Sequence, residues 1–384
     1  MQVENSKMIY RGSEELARVY RGDNVIVWEP GEPHDYSLDY LTFKVVGDNP
    51  GIFMFHCASA FSQDLDIEIS KNNGPWIHFS AATIENRTLA RGDRMRVKGT
   101  NETYSYIKER GANDSQMWVS GDTQYHIFGN IMSLVYGDLF EGKTELTTGY
   151  TFSGLFGRFS TDGSGANVNN NCVSARNLIL PATSLTYGCY EDMLWGTLIT
   201  KPPQLPATEL ANRCYLGLFG RCHMLTEAPL LPSTVMKEEC YYRMFEECFS
   251  LTSAPQLPAT TLASSCYLEM FISCSSLVNA PDLPATSLIY GCYEYMFSGC
   301  TSIEKAPDLL ADTLVSRAYF GMFHGCSSLN YVKCLATDIT ARWCTSHWLV
   351  GVSPTGTFVK SPNMSSWVTG EDGLPSGWTV VDAT

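Results

Sequence analysis

The chain has 384 residues, 44% of them hydrophobic, and its 40 Asp and Glu outnumber its 26 Lys and Arg, for a formal net charge of −14. This hydrophobic content favours folded domains with a sizeable core. The acidic balance disfavours nucleic acid and anionic membrane surfaces as partners, because both attract clustered Lys and Arg. No apolar run reaches the ~18 residues of a spanning helix, and the polar start lacks the apolar stretch of a secretory leader. We therefore expect neither membrane insertion nor leader-directed export.

Residues 1–33 form a predicted attachment segment. An apolar-Tyr-Arg-Gly pattern ends at Gly12 and again at Gly22. The β-branched run 25–28 that follows is typical of a strand. Two prolines within 29–33 then break the chain. We predict a small β-hairpin module here, followed by a linker.

Residues 34–140 contain short strand candidates that are separated by turn signals such as Asn-Asn-Gly-Pro at 72–75. Short strands at this spacing predict an antiparallel β-sandwich. The domain serves either as a spacer or as a glycan-binding domain, for which Trp76 and Trp118 are the aromatic candidates. The candidate strands are 40–46, 52–56, 65–70, 76–79, 94–98, 117–119 and 125–134.

Residues 141–179 are predicted to form an entry cap for a repeat array. Phe152, Leu155 and Phe156 occupy the positions that Tyr, Met and Phe hold in the later units. A Gly- and Asn-rich insertion at 160–171 interrupts this half-unit. A degenerate unit is expected at an end, where one face has no matching neighbour.

A repeat of 26 residues occupies 180–352 and dominates the sequence. The units 257–282 and 283–308 share L-P-A-T-x-L-x-x-x-C-Y-x-x-M-F-x-x-C-x-S-[LI]-x-x-A-P-D. Degenerate units, which keep only part of this pattern, begin at Leu309 and Leu335. Fixed apolar positions at this period predict a leucine-rich-repeat-type solenoid of about six to seven units. The fold class is therefore mostly β with short helices. The regular units begin at the Leu-Pro steps Leu180, Leu205, Leu231, Leu257 and Leu283.

Two local structures are predicted within a unit. The S-L-x-x-A-P segment is short and limited by Pro, so it predicts a short strand or a bridge, and long strands are not expected. Leu262, Cys266, Tyr267 and Met270 have the spacing of one helix face. This second segment therefore predicts a helical turn or a short helix.

The cysteines recur on the repeat frame, with Cys266 and Cys274 as one pair of the series. Zinc sites have about two to four residues between paired Cys, a shorter spacing than here, and no His pair lies nearby, so we predict no metal site. Two interpretations of the cysteines remain, packed free thiols and disulfides, and we favour free thiols that stack in ladders. The predicted ladder residues are Cys214, Cys240, Cys266, Cys292, Phe219, Phe245, Phe271, Phe297 and Phe323.

No sequence motif predicts catalysis. The chain contains no phosphate-binding loop, no dinucleotide fingerprint, no Gly-x-Ser-x-Gly and no His-Glu-x-x-His. A glycosidase remains an alternative, because the spacing of its two carboxylates depends on the fold. We predict a protein without catalytic residues and without a cofactor.

Candidate binding residues lie between the Cys-Tyr and Met-Phe positions, where the units differ while the frame stays fixed. Tyr side chains suit contact with sugars and with proteins, and charged neighbours add specificity. The candidates are Tyr242, Arg243, Glu269, Glu294 and Tyr295.

The L-P-A-T, C-Y-x-x-M-F and C-x-S-L motifs resemble those of the BspA-like leucine-rich repeat proteins of gut Bacteroidales bacteria and of their phages and prophages. The stretch G-L-P-S-G-W-T-V at 373–380, in the predicted C-terminal cap 353–384, is similar to the closing segment of the same family. The N-terminal echo at 9–22 resembles a short attachment segment of phage structural proteins from this group.

The resemblance implies a non-enzymatic virion protein of the tail, baseplate or head fibre, with a receptor-binding or adhesion role. The implied partners are other virion proteins, through the N-terminal segment, and a host-surface glycan or protein. It would assemble in the host cytoplasm as a homo-oligomer and reach the virion surface. A bacterial cell-surface adhesin is the alternative.

Overall fold

A computed structural model of the chain describes residues 34–57, 65–80, 83–104, 115–157 and 171–384, together with the backbone of four strands between residues 10 and 29. The described chain is mostly β with few short helices, as predicted, and its sheets are open. The helices are the α-helix α1 (Ser133–Tyr136) and the 3₁₀ helices Tyr36–Leu38, Glu85–Arg87 and Gly137–Leu139. The strands are β1 (Tyr10–Arg11), β2 (Glu14–Glu15), β3 (Arg18–Gly22), β4 (Val25–Glu29), β5 (Leu41–Val45), β6 (Gly51–Cys57), β7 (Ile67–Lys71), β8 (Ile77–His78), β9 (Thr88–Leu89), β10 (Arg94–Gly99), β11 (Ser115–Val119), β12 (Tyr125–Asn130), β13 (Cys172–Ser174), β14 (Leu178–Ile179), β15 (Tyr331–Cys334), β16 (Gly356–Lys360) and β17 (Trp378–Asp382).

The N-terminal segment contains two antiparallel strand pairs. Strand β1 pairs with β2, and β3 pairs with β4 in a register that places Gly22 opposite Val25. Strand β4 covers the strand predicted at 25–28. The predicted linker residues 30–33 and the predicted insertion at 160–170 lie outside the described residues.

Two sheets follow, and each candidate strand of 34–140 overlaps one of their strands. The larger sheet has the order β13-β12-β5-β10-β7-β8, with β14 also on β12, and the smaller has the order β11-β6-β9. The rings of Phe43 on β5 and Phe53 on β6 lie 4.9 Å apart, so the two sheets share a core. The short β9 had no counterpart in the sequence-based prediction.

Strand β12 ends earlier than the candidate 125–134, because α1 begins soon after it. The hydroxyl of Ser133 donates to the carbonyl of Val97 at 3.0 Å and accepts from the amide of Leu41 at 3.0 Å. These two bonds hold the start of α1 against neighbouring strands.

The repeat stack, residues 180–352, continues directly from the larger sheet. Strands β13 and β14 of the predicted entry cap pair in parallel with β12. Successive units are then joined by single parallel bridges, such as Ser253 with Asn279 and Lys305 with Tyr331. Bridges of this length match the short strand or bridge that the Pro-limited S-L-x-x-A-P pattern predicts.

The predicted helix of each unit is wrong, because this segment is a run of tight turns. In the unit 257–282, the amide of Met270 donates to the carbonyl of Tyr267 at 3.2 Å, three residues back. The next amide, of Phe271, donates instead to Met296 of the following unit at 2.9 Å. Ser265 and Ser273, like the residue midway between them, have positive φ. A left-handed residue at every fourth position turns the chain before a bond to the fourth preceding carbonyl can form.

Aromatic rings form one continuous stack through the repeat stack and into both of its neighbours. Adjacent ring centroids lie between 5.4 and 6.4 Å apart, at interplanar angles of 26° or less. Such stacking adds stability beyond the buried area. The rings belong to Tyr104, Phe152, Tyr190, Tyr215, Tyr241, Tyr267, Tyr293, Tyr319, Trp348 and Trp367.

The predicted ladder residues lie in the same core. All nine of the predicted Cys and Phe have an exposed fraction of 0%. Neighbouring rings in the Phe row lie 5.5 to 5.7 Å apart. The second Cys of a unit donates its S–H back into the stack, as when Cys274 reaches the carbonyl of Phe245 at 3.0 Å.

A three-stranded parallel sheet, β15-β16-β17, closes the stack; β15 belongs to the repeat stack, and β16 and β17 lie in the predicted C-terminal cap. The ring of Trp348 stacks on Trp367 at 5.4 Å, and its Nε1 donates to the carbonyl of Gly373 at 2.9 Å. The last ring of the stack is thereby covered. Among the described residues, no helix has the length and apolar character that crossing a membrane requires.

Candidate functional site

The turn segments display three rows of residues with left-handed backbone, which we call the turn face. Every row residue has a φ between 50° and 77°. The first row is Gly188, Arg213, Glu239, Ser265, Gly291, Arg317 and Trp343; the second is Asp192, Gly217, Arg243, Glu269, Tyr295, Gly321 and His347; the third is Gly196, Arg221, Glu247, Ser273, Gly299, Gly325 and Gly351.

The turn face combines a fixed backbone with varied side chains. Left-handed backbone costs a residue other than Gly about 1–2 kcal/mol. Each second-row amide nevertheless keeps its bond to the next unit, as Tyr295 does with the carbonyl of Phe320 at 2.8 Å. Strain of this kind persists where the surrounding structure enforces it, and it concentrates at functional sites. The rows are therefore the part of the stack where charged and aromatic residues replace the Gly that the backbone favours.

All five predicted binding residues lie on or beside this face. Arg243, Glu269 and Tyr295 are consecutive members of the second row, while Tyr242 and Glu294 each precede a second-row residue. The Nε of Arg243 lies 2.5 Å from Oε2 of Glu269. Its guanidinium carbon lies 4.8 Å from the centroid of the Tyr242 ring. Burial raises the pKa of Tyr242 to about 12, so this hydroxyl stays protonated at neutral pH.

Two of the five make close contacts within the stack. Glu294 is buried and accepts from Arg317, with its Oε2 2.8 Å from the Arg317 Nε, so it holds that guanidinium in place. The ring of Tyr295 lies where a Cβ at Gly321 would be, 2.2 Å from that position, and meets the Phe320 ring edge-on at 5.2 Å. Glycine in the following unit thus makes room for a bulky neighbour.

The same face carries a charge network at its N-terminal half. Arg213 joins two glutamates from different units, with its Nη2 2.9 Å from Glu191 and its Nη1 2.9 Å from Glu239. The hydrogen bonds that Arg213 donates to Glu191 raise the pKa of Arg213. Because the partners come from successive units, these pairs fix the lateral register of the stack.

Two carboxyl groups in this network hold their protons more tightly than usual. The Asp192 carboxyl lies over Gly217, where a Cβ would stand 1.9 Å from Oδ1. Burial, and then the charge of Glu191, raises the pKa of Asp192 well above its ordinary value. Burial also raises the pKa of Glu246, whose Oε2 has no hydrogen-bond partner but lies 3.5 Å from the Nε of Arg243. Sequence reasoning missed both groups, since burial of a carboxylate leaves no mark on the repeat pattern.

Aromatic and arginine side chains gather at the C-terminal end of the turn face. Tyr290 is 50% exposed and Trp343 is 45% exposed. The guanidinium carbon of Arg342 lies 3.7 Å from the centroid of a ring of Trp343, and that of Arg317 lies 5.7 Å away. A sequence signal was available here, because Trp343 stands in a row position that holds Gly291 in an earlier unit.

A cavity of about 630 Å³ lies along the A-P-x-L segments of neighbouring units. Its lining combines apolar side chains such as Val278 and Leu310 with Lys305 and Asp308. Asp308 is engaged by Lys333, whose Nζ lies 2.7 Å from its Oδ2. The carboxylate of Asp308 at this cavity is therefore already paired with a cation of the stack.

The cysteines have the surroundings of structural thiols. The thirteen cysteines from Cys172 to Cys344 are all free and buried. Burial raises the pKa of Cys274 and of Cys300, to about 12 for the former, so these thiols remain protonated and unreactive at neutral pH. In the described part of the chain, no group of three His, Cys, Asp or Glu is arranged to hold a metal ion.

The aromatic candidates of the N-terminal sheets have different surroundings. Trp76 is half-buried under cations, with the Arg96 guanidinium carbon 4.9 Å and the Lys98 Nζ 4.6 Å from its ring. Its ring also meets Tyr40 edge-on at 4.9 Å. Trp118 packs against the core. Part of the Trp76 ring that a sugar would contact is thus occupied by neighbouring side chains.

Comparison of this chain with protein-family models, with curated proteins and with solved structures found no significant match. Function is therefore inferred from the residues of the turn face.

Proposed function

We propose that the chain is a non-enzymatic adhesion protein, in which the repeat stack acts as a leucine-rich-repeat-type solenoid and presents the turn face to a host-surface glycan or protein. The observation that carries this proposal is the contrast between rows. The core rows repeat Tyr, Phe and Cys with little change, while the turn face changes from Arg to Glu to Tyr on one backbone geometry. A scaffold that varies only its displayed side chains suits recognition.

The contacts between units support the interpretation of the repeat stack as a solenoid. Bridges such as Val235 with Thr261 join positions that are one period apart. Amides in the turn segments donate to the following unit, as Tyr267 does to Cys292 at 3.1 Å. In a stack of this kind each unit buries its apolar residues against its neighbours. The two N-terminal sheets, joined by the contact of Phe43 with Phe53, support a β-sandwich that precedes the solenoid.

The setting that we propose is a phage virion, with the N-terminal strand pairs as the attachment segment and a homo-oligomeric tail, baseplate or head-fibre protein as the assembly. The family resemblance of the repeats supports this setting. Mass spectrometry of purified particles tests it, and the protein is expected among the virion components. A bacterial cell-surface adhesin is the alternative, and it predicts release of peptides from intact cells by added protease.

The adhesion proposal is tested with a double variant of the turn face. The variant Arg243→Ser, Glu269→Ser replaces both second-row side chains with serine. Serine is compatible with left-handed backbone in this stack, as Ser265 of the first row shows. We expect binding of the fluorescent full chain to host cells to fall, with the melting temperature little changed. The matched control is Glu304→Ser, an exposed residue outside the rows. Equal binding by wild type, double variant and control would contradict a role for these residues.

A further inference from the structure

The C-terminal end of the turn face combines exposed aromatic and arginine side chains. We call Tyr290, Arg317, Arg342 and Trp343 the aromatic corner. Tyr290 and Arg342 occupy the same position in units that are two apart, and Ser316 occupies it in the unit between them. The hydroxyl of Ser316 donates to the carbonyl of Arg342 at 3.0 Å, so a small side chain held by the next unit stands between two large ones.

The arginine that distinguishes this corner is Arg342. Arg213, Arg243 and Arg317 each form an ion pair with a glutamate. Arg342 is exposed, and within the described ranges it forms no ion pair with a carboxylate. Its guanidinium instead lies over Trp343 at 3.7 Å, which orients it and leaves its N–H donors available.

Trp343 is held in a costly conformation. Its φ is 59°, although a bulky residue with positive φ is a genuine outlier. The ring is nevertheless 45% exposed, so burial in the core does not compensate for the strain. A strained, exposed Trp beside an exposed Arg without a carboxylate partner is a feature that folding alone does not require.

We propose that the aromatic corner binds an acidic saccharide that carries carboxylate groups. The guanidinium of Arg342 pairs with the carboxylate through charge-assisted hydrogen bonds. The exposed Tyr290 ring and the part of the Trp343 ring that Arg342 leaves uncovered contact the apolar faces of the sugar rings, and the small side chain of Ser316 leaves space between them. Charge complementarity favours an acidic ligand over a neutral one, since the free donors at this corner are cationic. This inference rests on the proposed adhesion function and names the ligand class of one end of the turn face.

Isothermal titration calorimetry of the full chain tests the proposal with an oligogalacturonate and with its methyl ester, which differ in charge. We expect the acid form to bind and the ester to bind at least about tenfold more weakly. Arg342→Ser is expected to weaken binding of the acid form at least about tenfold. Trp343→Gly should do the same while retaining the fold, because Gly291 occupies the equivalent row position.

The matched control is Lys237→Ala, an exposed cationic residue outside the rows whose position holds Ala263 in the next unit. It should leave binding unchanged. Failure of the acid form to bind, equal binding of acid and ester, or an equal loss in Lys237→Ala and Arg342→Ser would each overturn the inference. If host cells still bind through Arg243 and Glu269 in those cases, the adhesion proposal stands and only the ligand class is wrong.

Discussion

The N-terminal sheets and the repeat stack bury their apolar residues in two different ways. In the sheets, unlike antiparallel strands pair side by side, and β10 lies between β5 and β7 so that Met95 is paired opposite Phe43. In the stack, each buried ring lies against its own copy one unit away, as Phe271 does against Phe297 at 5.6 Å. The sheets depend on pairing of unlike segments, and the stack depends on repetition of one segment.

This difference indicates which residues of each region tolerate substitution. A core residue of the sheets has unlike neighbours that can adjust around a substitution. A core residue of the stack sits between two identical rings, so its loss leaves two contacts unfilled. The turn face is the exception within the stack, because its backbone bonds do not depend on side-chain identity. The following predictions test these contrasts.

The largest loss of stability is expected when one buried ring of the Phe row is removed. Phe271→Ala should lower the free energy of unfolding by about 3–5 kcal/mol, because it removes a fully buried ring between Phe245 and Phe297. The matched control in a neighbouring unit is Phe249→Ala, since that ring is 41% exposed. Urea unfolding of the full chain measures both. Equal losses in the two variants would show that stacking in the row is not the source of stability.

A second effect is expected where glycine makes room for a neighbour. Gly217 and Gly142 both have positive φ, at 58° and 70°, but only a Cβ at Gly217 would collide with Asp192 and Trp195. Gly217→Ala should therefore lower the free energy of unfolding by about 1–3 kcal/mol more than Gly142→Ala. Thermal unfolding compares the two variants. The prediction fails if Gly142→Ala is as destabilising as Gly217→Ala.

A stabilising change is expected in the third row. Ser273 has a φ of 61° in a position that holds Gly in the two following units. Ser273→Gly should relieve the left-handed strain and raise the free energy of unfolding by up to about 1 kcal/mol. The control Ser276→Gly, at a residue of the same unit without positive φ, should lower it by about 0.5–1 kcal/mol. Opposite signs for the pair are the expected result, measured by urea unfolding.

The smallest effect is a dependence on pH. The pKa of Asp192 is raised in the folded state, so its contribution to stability is present below its unfolded pKa and is lost as pH rises through the folded value. Asp192→Asn should therefore raise the melting temperature at pH 7, and the gain should vanish below about pH 4. Asp338 has the opposite shift, because hydrogen bonds from Thr340 lower its pKa. Asp338→Asn should not raise the melting temperature at pH 7, and a gain as large as that of Asp192→Asn would contradict the assignment.

Much of the core followed from the sequence, and much of the site did not. The rows through Cys266 and Phe271 could be read from a fixed spacing, because most units repeat the same buried side chain. The five binding candidates could be chosen from the sequence only because their positions differ from unit to unit. The contact of Glu294 with Arg317 joins adjacent units at unlike positions, so no comparison of equivalent positions could reveal it. Nor could spacing distinguish an exposed Arg342 from a paired Arg213.

By itself, the sequence determined the period, the buried rows and the mostly β character, because burial at fixed intervals leaves a pattern in residue type. The tertiary structure decided that Leu262 to Met270 forms turns and not a helix. A helical spacing of apolar residues is satisfied equally by a run of turns, and the choice depends on where the alternate amides find acceptors. Those acceptors belong to the next unit, as Met296 does for Phe271 at 2.9 Å, and only the stacked chain brings them within reach.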